Sequence, residues 1–413
     1  MKRVVVTGLG VISPVGNNIP SFWQSLMEGK CGIGPITAFD TTDFKVKIAA
    51  EVKDFDPLLY MEKGEARKQD AFSQYAIAAS SQAMKDSGLV SGENIDSFRL
   101  GVYIGTGTGG MQTFMTEANK LHEKGPGRVS PFFIPMMIGN MAAGNAALKF
   151  HAQGPSLPIM TACATSTNAI GEAYRTIKHG YADAIIAGGS EATVIEMAVA
   201  GFTNCMALTQ STDPACASIP FDKRRNGFVM GEGSGILVLE EYEHAVARGA
   251  HIYAEVCGYG NTNDAHHMTA PDPDAAGSSR AIQMAVQEAG INAQDKIYIN
   301  AHGTSTPLND KTETKAIKLA LGEETARKAH ISSTKSMTGH MLGAAGGVEA
   351  IATVLALKNG IIPPTIGYAE PDPDCDLDYT PNHAVQADVT LGISTSLGFG
   401  GHNGCLAFRK FEQ

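Results

Sequence analysis

Long apolar runs are missing from this 413-residue chain. Nowhere do about 18 apolar residues follow one another, so no membrane span is expected. The opening MKRVVVTGLGVISPVG carries a positive dipeptide but too short an apolar stretch for a signal peptide. Positive charge is also scarce. Lys and Arg number 32 against 42 Asp and Glu, a net charge of −10 that sets aside nucleic acid and anionic membranes as main partners. The seven cysteines are odd in number and show no CxxC spacing, which excludes a disulfide framework and a zinc site and fits the reducing cytoplasm. No Pro/Ser-rich linker divides the chain. With 43% hydrophobic and 18% charged residues, it can bury one large core or two fused domains.

What is present is a repeat. AIAASSQAMKDSGL (76–89), a polar stretch and RLGVYIGTG (99–107) are echoed by RAIQMAVQEAGI (280–291), a polar stretch and DKIYINAHG (295–303). Both leading segments read as amphipathic helices, one presenting Phe72, Tyr75, Ala76, Ala79 and Ala83, the other Ile282, Ala285, Val286 and Ala289. Each stops at a glycine, Gly88 or Gly290. VVVTGLG (4–10) parallels AEVCGYG (254–260), and 158–180 parallels 330–360. Alternating strands and helices in each half predict mostly parallel sheets covered by helices. The expected architecture is two related α/β halves, 1–250 and 251–413, packed into one five-layered αβαβα body. Insertions at 111–157 and 190–233 enlarge the first half. Pseudo-twofold packing should bring together the helix starts after Ala162 and Gly339 and the loop after Ala301.

Cys163, in GPSLPIMTACATSTNAI, stands between an apolar strand and a helix running from about Ala164 to Lys178. At a helix start the dipole favours thiolate, and unpaired N–H groups can meet an oxyanion. Most cysteines are merely small buried hydrophobes, but no other cysteine here has this setting. His302 ends the strand KIYINA, and His340 opens the repeat-equivalent helix in STKSMTGHMLGAAGG. A lone loop histidine is usually a cap or core residue, whereas two facing a helix-start cysteine suit one chemistry. The thiolate accepts an acyl group from a thioester, and two neutral imidazoles, hydrogen-bonded from behind, meet the enolate oxygen left when a malonyl thioester loses CO₂.

These segments, with PFDKRRNGFVMGEGSG (220–235), NAHGTSTPLNDKTE (300–313) and SLGFGGHN (396–403), resemble the β-ketoacyl-[acyl-carrier-protein] synthases over essentially the whole chain. SPFFIPMMI (130–138), with its Phe132–Phe133 pair, looks like the synthase II branch. The resemblance implies a thiolase fold, a cytoplasmic homodimer, ping-pong elongation of fatty acids and docking of acyl carrier protein. It implies no metal and no cofactor beyond the phosphopantetheine that substrates carry. Cys163 would accept the acyl group, and His302 and His340 would hold the malonyl oxygen, with Lys335 and Glu349 paired behind them. Phe399 would gate the site, its N–H joining that of Cys163 as the oxyanion hole. Thr304 and Thr306 would bind pantetheine, while Thr108, Phe202 and Phe133 would line the acyl pocket, Thr108 at its floor. Arg67, Lys68 and Arg128 would supply the docking patch.

Thr108 and Met206 depart from the family, which often has a bulky aliphatic and an arginine there. Asp310 and Glu313 have capping-box spacing, reason enough for both. The Lys335–Glu349 pair has a purely structural alternative. GTGTGG (105–110) lacks the G-x-G-x-x-G order of a nucleotide loop, as do Gly8 and Gly10. A chain-length factor of the same fold would lack the cysteine. A thiolase of coenzyme A metabolism would use a second, late cysteine, whereas Cys405 sits in an apolar strand.

Overall fold

Period-two apolar runs become strands, and the glycine-stopped amphipathic segments become the helices that cover them. The computed structural model describes residues 1–412. Nine strands carry the fold: β1 (Val4–Ile12), β2 (Leu100–Gly105), β3 (Ala184–Glu191), β4 (Gly233–Glu241), β5 (Ala254–Asn263), β6 (Ile297–Asn300), β7 (His330–Ser332), β8 (Leu391–Gly398) and β9 (His402–Lys410). Their order across the sheet is β2-β3-β4-β1-β5-β9-β8-β6-β7. Read outward from β1, then from β5, the pairings repeat: antiparallel, antiparallel, parallel. Beyond β2 a parallel bridge between Val102 and Ser156 stands where β7 pairs with β6.

The helices that matter here are α1 (Ala71–Ser87), α2 (Met111–Lys124), α3 (Phe133–Met137), α4 (Met141–Phe150), α5 (Thr165–Lys178), α6 (Glu196–Asn204), α7 (Ala276–Glu288), α8 (Pro307–Leu321), α9 (Lys335–Thr338) and α10 (Ala345–Asn359). α1 covers the first half and α7 the second, while α5 and α10 pack against strands of both halves as the middle layer. The predicted apolar face of α1 is buried, as are Ile282, Ala285 and Val286 of α7. Gly88 and Gly290 take the left-handed conformation, φ +68° and +64°, that stops each helix. The paired glycines have a packing reason. A Cβ on Gly8 or Gly10 would lie 2.2 and 1.9 Å from the carbonyls of Ala83 and Ala79 in α1, and one on Gly258 or Gly260 would lie 2.0 and 1.8 Å from those of Ala285 and Ala281 in α7.

One expectation fails. The sheet is mixed rather than mostly parallel: β2–β3, β6–β8 and β6–β7 are parallel, whereas β1 and β5 run antiparallel to their neighbours and to each other. Helical crossovers do impose parallel pairing, but β8 returns into β9 through a tight turn at Gly400–Gly401, φ +85° and +76°, which imposes a hairpin. Among the described residues no helix is long and apolar enough to cross a membrane.

Candidate active site

Cys163 lies in a one-turn 3₁₀ segment, Ala162–Ala164, that opens α5, with Ala162 at φ +50°. The loop after β8 runs beside it: a Cβ on Gly398 would lie 2.8 Å from the Thr161 carbonyl and 3.2 Å from the Cys163 nitrogen. The Phe399 N–H faces the sulfur and favours thiolate, as does Lys335. Burial outweighs both, with Glu191 and Glu349 adding to it, and pushes the thiol up to about 12. Against the lowering expected at a helix start, partial burial in the apolar wall formed with Phe202, Leu342 and Met111 acts in the opposite direction.

His302 and His340 are buried, with ring centroids 5.2 Å apart and planes at 87°. Burial and the Lys335 cation hold both well below the ordinary imidazole range, so both rings are neutral. Lys335 Nζ donates to His302 Nδ1 at 3.4 Å, which leaves the proton on Nε2. His340 Nδ1 is buried and has no partner among the described residues, so only His302 has the expected hydrogen bond behind it. Lys335, on α9, also pairs with Glu349 of α10, and both are buried. Burial raises the Glu349 carboxyl while Lys335 lowers it.

The cleft above these groups holds about 380 Å³ and is lined by Cys163, His302, His340, Phe202, Phe228, Thr304, Thr306, Leu397 and Phe399 among others. Thr304 and Thr306 bond to each other through their hydroxyls at 2.9 Å. Phe202 packs against Phe399 at 6.1 Å and edge-on to Phe228 at 5.6 Å. A larger groove of about 760 Å³ lies at the opposite end of β6, near Lys296 and His330. It offers no cysteine, and its Lys296, Lys328 and Asp388 are paired with neighbours, so the smaller cleft is the site.

Two pocket residues fall outside the cleft. Thr108 gives its hydroxyl to Glu191 at 2.8 Å and is not among the residues that line the cleft. Phe133, on α3, packs on Phe114 at 6.2 Å and is not among the residues that line the cleft. Met206, at φ +56° and 88% exposed, sits at the cleft mouth. Arg67, Lys68 and Arg128 are exposed, with Lys68 over the Phe132 ring at 5.0 Å.

Three buried carboxylates have roles that sequence reasoning missed. Asp310 and Glu313 lie inside α8, whose N-cap is Thr306, and form no capping box. Glu313 accepts the N–H groups of His302 and Gly303, both at 2.7 Å, and the Thr395 hydroxyl at 2.7 Å. Burial pushes it up to about 6 against those three bonds. It fixes the backbone that carries His302. Asp310 accepts the Phe221 N–H at 2.8 Å. Glu191, at the end of β3, is the third, and its donors explain GTGTGG: that loop presents N–H groups to a buried carboxyl group. The only sequence signal was an acidic residue ending an apolar strand.

Comparison with known proteins agrees with this geometry. The family model for the β-ketoacyl synthase N-terminal domain matches residues 1–245, and that for the C-terminal domain matches 253–369. The chain is 52% identical over 412 residues to 3-oxoacyl-[acyl-carrier-protein] synthase 2 of Synechocystis sp., covering 100% of this chain and 99% of that one. It is 52% identical over 411 residues, with the same coverage, to the protein of that name from Staphylococcus aureus strain COL. Among solved structures, the ishigamide ketosynthase/chain length factor matches at TM-score 0.93 and 37% identity over 100% of both chains. A type II PKS acyl-carrier protein in complex with its ketosynthase bound to the hexaketide matches at 0.90 and 36%, over 99% of this chain and 100% of that one. A fold of two like halves with a cysteine facing two neutral histidines thus has its class: the chain belongs to the β-ketoacyl synthase family. It is a condensing acyltransferase with the thiolase-like fold.

Proposed function

We propose that the cleft extends fatty acyl chains by decarboxylating condensation with malonyl-[acyl-carrier-protein], and that Cys163, His302 and His340 carry the chemistry. The acyl carbon forms a bond to Cys163 Sγ as its bond to the carrier sulfur breaks, and the carrier thiol takes the proton the cysteine gives up. Malonyl thioester then loses CO₂. The electron pair left behind becomes an enolate, whose oxygen meets the Nε2–H groups of His302 and His340. The enolate carbon attacks the acyl carbonyl, whose oxygen turns to the Cys163 and Phe399 N–H groups. Collapse expels the Cys163 thiolate and leaves a β-ketoacyl thioester on the carrier.

The observation that carries this reading is two neutral imidazoles, 5.2 Å apart, opening onto the cleft that holds the only helix-start cysteine. Thr304 and Thr306, at the cleft wall, suit the amides of a pantetheine arm, and Phe202 and Phe399 flank the acyl path. Lys335 and Glu349 keep His302 in its donor tautomer. No cofactor is required, because both substrates arrive as activated thioesters. Cys163 with both histidines disfavours the chain-length factor, and Cys405, fully buried in β9 and outside the cleft, disfavours a two-cysteine thiolase. The reading extends to a cytoplasmic homodimer, supported by the exposed apolar Leu157 and Met160 beside the β2 edge. Carrier docking on Arg67, Lys68 and Arg128 completes it.

Single His302→Ala and His340→Ala variants test the assignment. Each should lose condensation by about 10²–10³-fold while Cys163 still forms acyl-enzyme, since only the enolate loses its donors. Radiolabelled acyl transfer separates the steps, and near wild-type condensation by either variant sinks the paired-donor mechanism.

A further inference from the structure

Glu191 accounts for more hydrogen bonds than any catalytic residue, yet it touches no substrate-facing surface. It is fully buried at the end of β3. Oε2 accepts the Gly107 N–H at 2.7 Å and the Gly343 N–H at 2.9 Å. Oε1 accepts the Thr106 hydroxyl at 3.0 Å, the Thr108 N–H at 3.2 Å and the Thr108 hydroxyl at 2.8 Å.

The pseudo-twofold gives these partners meaning. Cys163 lies in a turn with Ala162 at φ +50°, a 3₁₀ segment over 162–164 and a helix from Thr165. The other half repeats it, with Leu342 at φ +46°, a 3₁₀ segment over 342–344 and a helix from Ala345. Gly343 therefore stands where Cys163 stands. A side chain there is impossible, because a Cβ would lie 2.4 Å from the Gly107 nitrogen and 2.7 Å from Glu191 Oε2. The Cys163 N–H serves an oxyanion formed in the reaction, whereas its counterpart on Gly343 is already taken by the Glu191 carboxyl group, whose pKa burial raises against its hydrogen bonds.

This buried carboxyl group bears on the live site. The Gly343 carbonyl accepts the hydroxyl of Ser166, in the first turn of α5 and three residues after Cys163. Gly343 itself follows His340 by three residues. The bonds Glu191–Gly343–Ser166 thus join the turn after His340 to the turn after Cys163.

We propose that Glu191 is a positioning residue. Its carboxylate fills the vestigial second oxyanion turn and sets the spacing of Cys163 and His340 through Gly343 and Ser166. This rests on the synthase reading above. Glutamine at 191 must turn its NH₂ toward either the two glycine N–H groups or the Thr108 N–H, so one donor always meets another. Reaction geometry should loosen while pantetheine binding, through Thr304 and Thr306, stays intact.

The test is steady-state condensation by Glu191→Gln, Glu191→Ala and Ser166→Ala beside wild type. We expect kcat to fall about 100-fold in Glu191→Gln, as misplaced reacting groups imply, with KM little changed. Ser166→Ala removes the strut without touching the carboxylate and should show the same split. Sodium formate, against sodium chloride at equal ionic strength, should restore kcat to Glu191→Ala by refilling the turn. Wild-type kcat in Ser166→Ala or in folded Glu191→Gln overturns the proposal, as does a loss confined to KM or an absence of formate rescue. A wild-type protein that fails to condense in the same assay overturns the synthase reading itself, and this one with it.

Discussion

At Cys163 two environments compete. A helix start, Lys335 and the Phe399 N–H favour thiolate, whereas burial and two nearby carboxylates favour thiol, and the balance leaves the thiol protonated at rest with its pKa up at about 12. Deprotonation thus belongs to the acyl-transfer step, where the carrier thiolate leaves as the cysteine attacks. The sign is testable. With the pKa raised, thiolate is the minor form throughout the neutral range, so alkylation of Cys163 by iodoacetamide should climb about tenfold per pH unit from 7 to 9 with no plateau. Peptide mapping supplies the rate, and saturation near pH 7 would restore the low-pKa thiolate. Cys163, His302 and His340 were legible in the sequence because each ends a strand or opens a helix in a repeated pattern. Glu313 and Glu191 were not. Their partners lie 10 to 152 residues away, and nothing in a D-x-x-E spacing tells a capping box from a buried acceptor of two loop N–H groups.

Between elements, the decisive contact is α5 against α10. The repeat announced that these two helix starts would converge, and they do so at van der Waals limits because small residues face each other. A Cβ on Gly346 would lie 2.1 Å from Thr167 Oγ1, in a region where Thr167 already bonds Ser396 at 2.7 Å. Gly346→Ala should therefore force the helices apart at a cost of about 1–3 kcal/mol, and in moving α5 it should slow acyl transfer to Cys163. Urea unfolding measures the first effect and single-turnover acylation the second. Unchanged stability would mean that the helix pair has slack the packing does not show. Strand direction was the element-level feature the sequence misled on. Periodicity marks where strands lie, but parallel or antiparallel pairing is set by the connection, and the short Gly400–Gly401 return was hidden inside a functional motif.

For the whole molecule, charge distribution matters more than total charge. The protein is net −10, yet Lys63, Arg67, Lys68, Lys124 and Arg128 are exposed and none forms an ion pair among the described residues. Cations left unpaired on an acidic protein spend nothing on internal partners and remain available to an acidic carrier. An encounter built on a few such contacts is screened over a Debye length of about 8–10 Å, so KM for carrier-linked substrates should rise with salt. The triple reversal Arg67→Glu, Lys68→Glu, Arg128→Glu should raise that KM further and flatten its salt dependence. The cleft, by contrast, is lined by no lysine or arginine: Thr304, Thr306, Phe202 and Phe399 are uncharged, and the one carboxyl on its wall is Asp264. Pantetheine-length thioesters, which lack the protein surface, should therefore react with the triple variant as with wild type at every ionic strength. Parallel titrations of the two substrate types separate the cases: divergence places docking on this patch, equal loss of both indicates a folding defect, and an unchanged KM for the carrier substrate removes these residues from the docking surface.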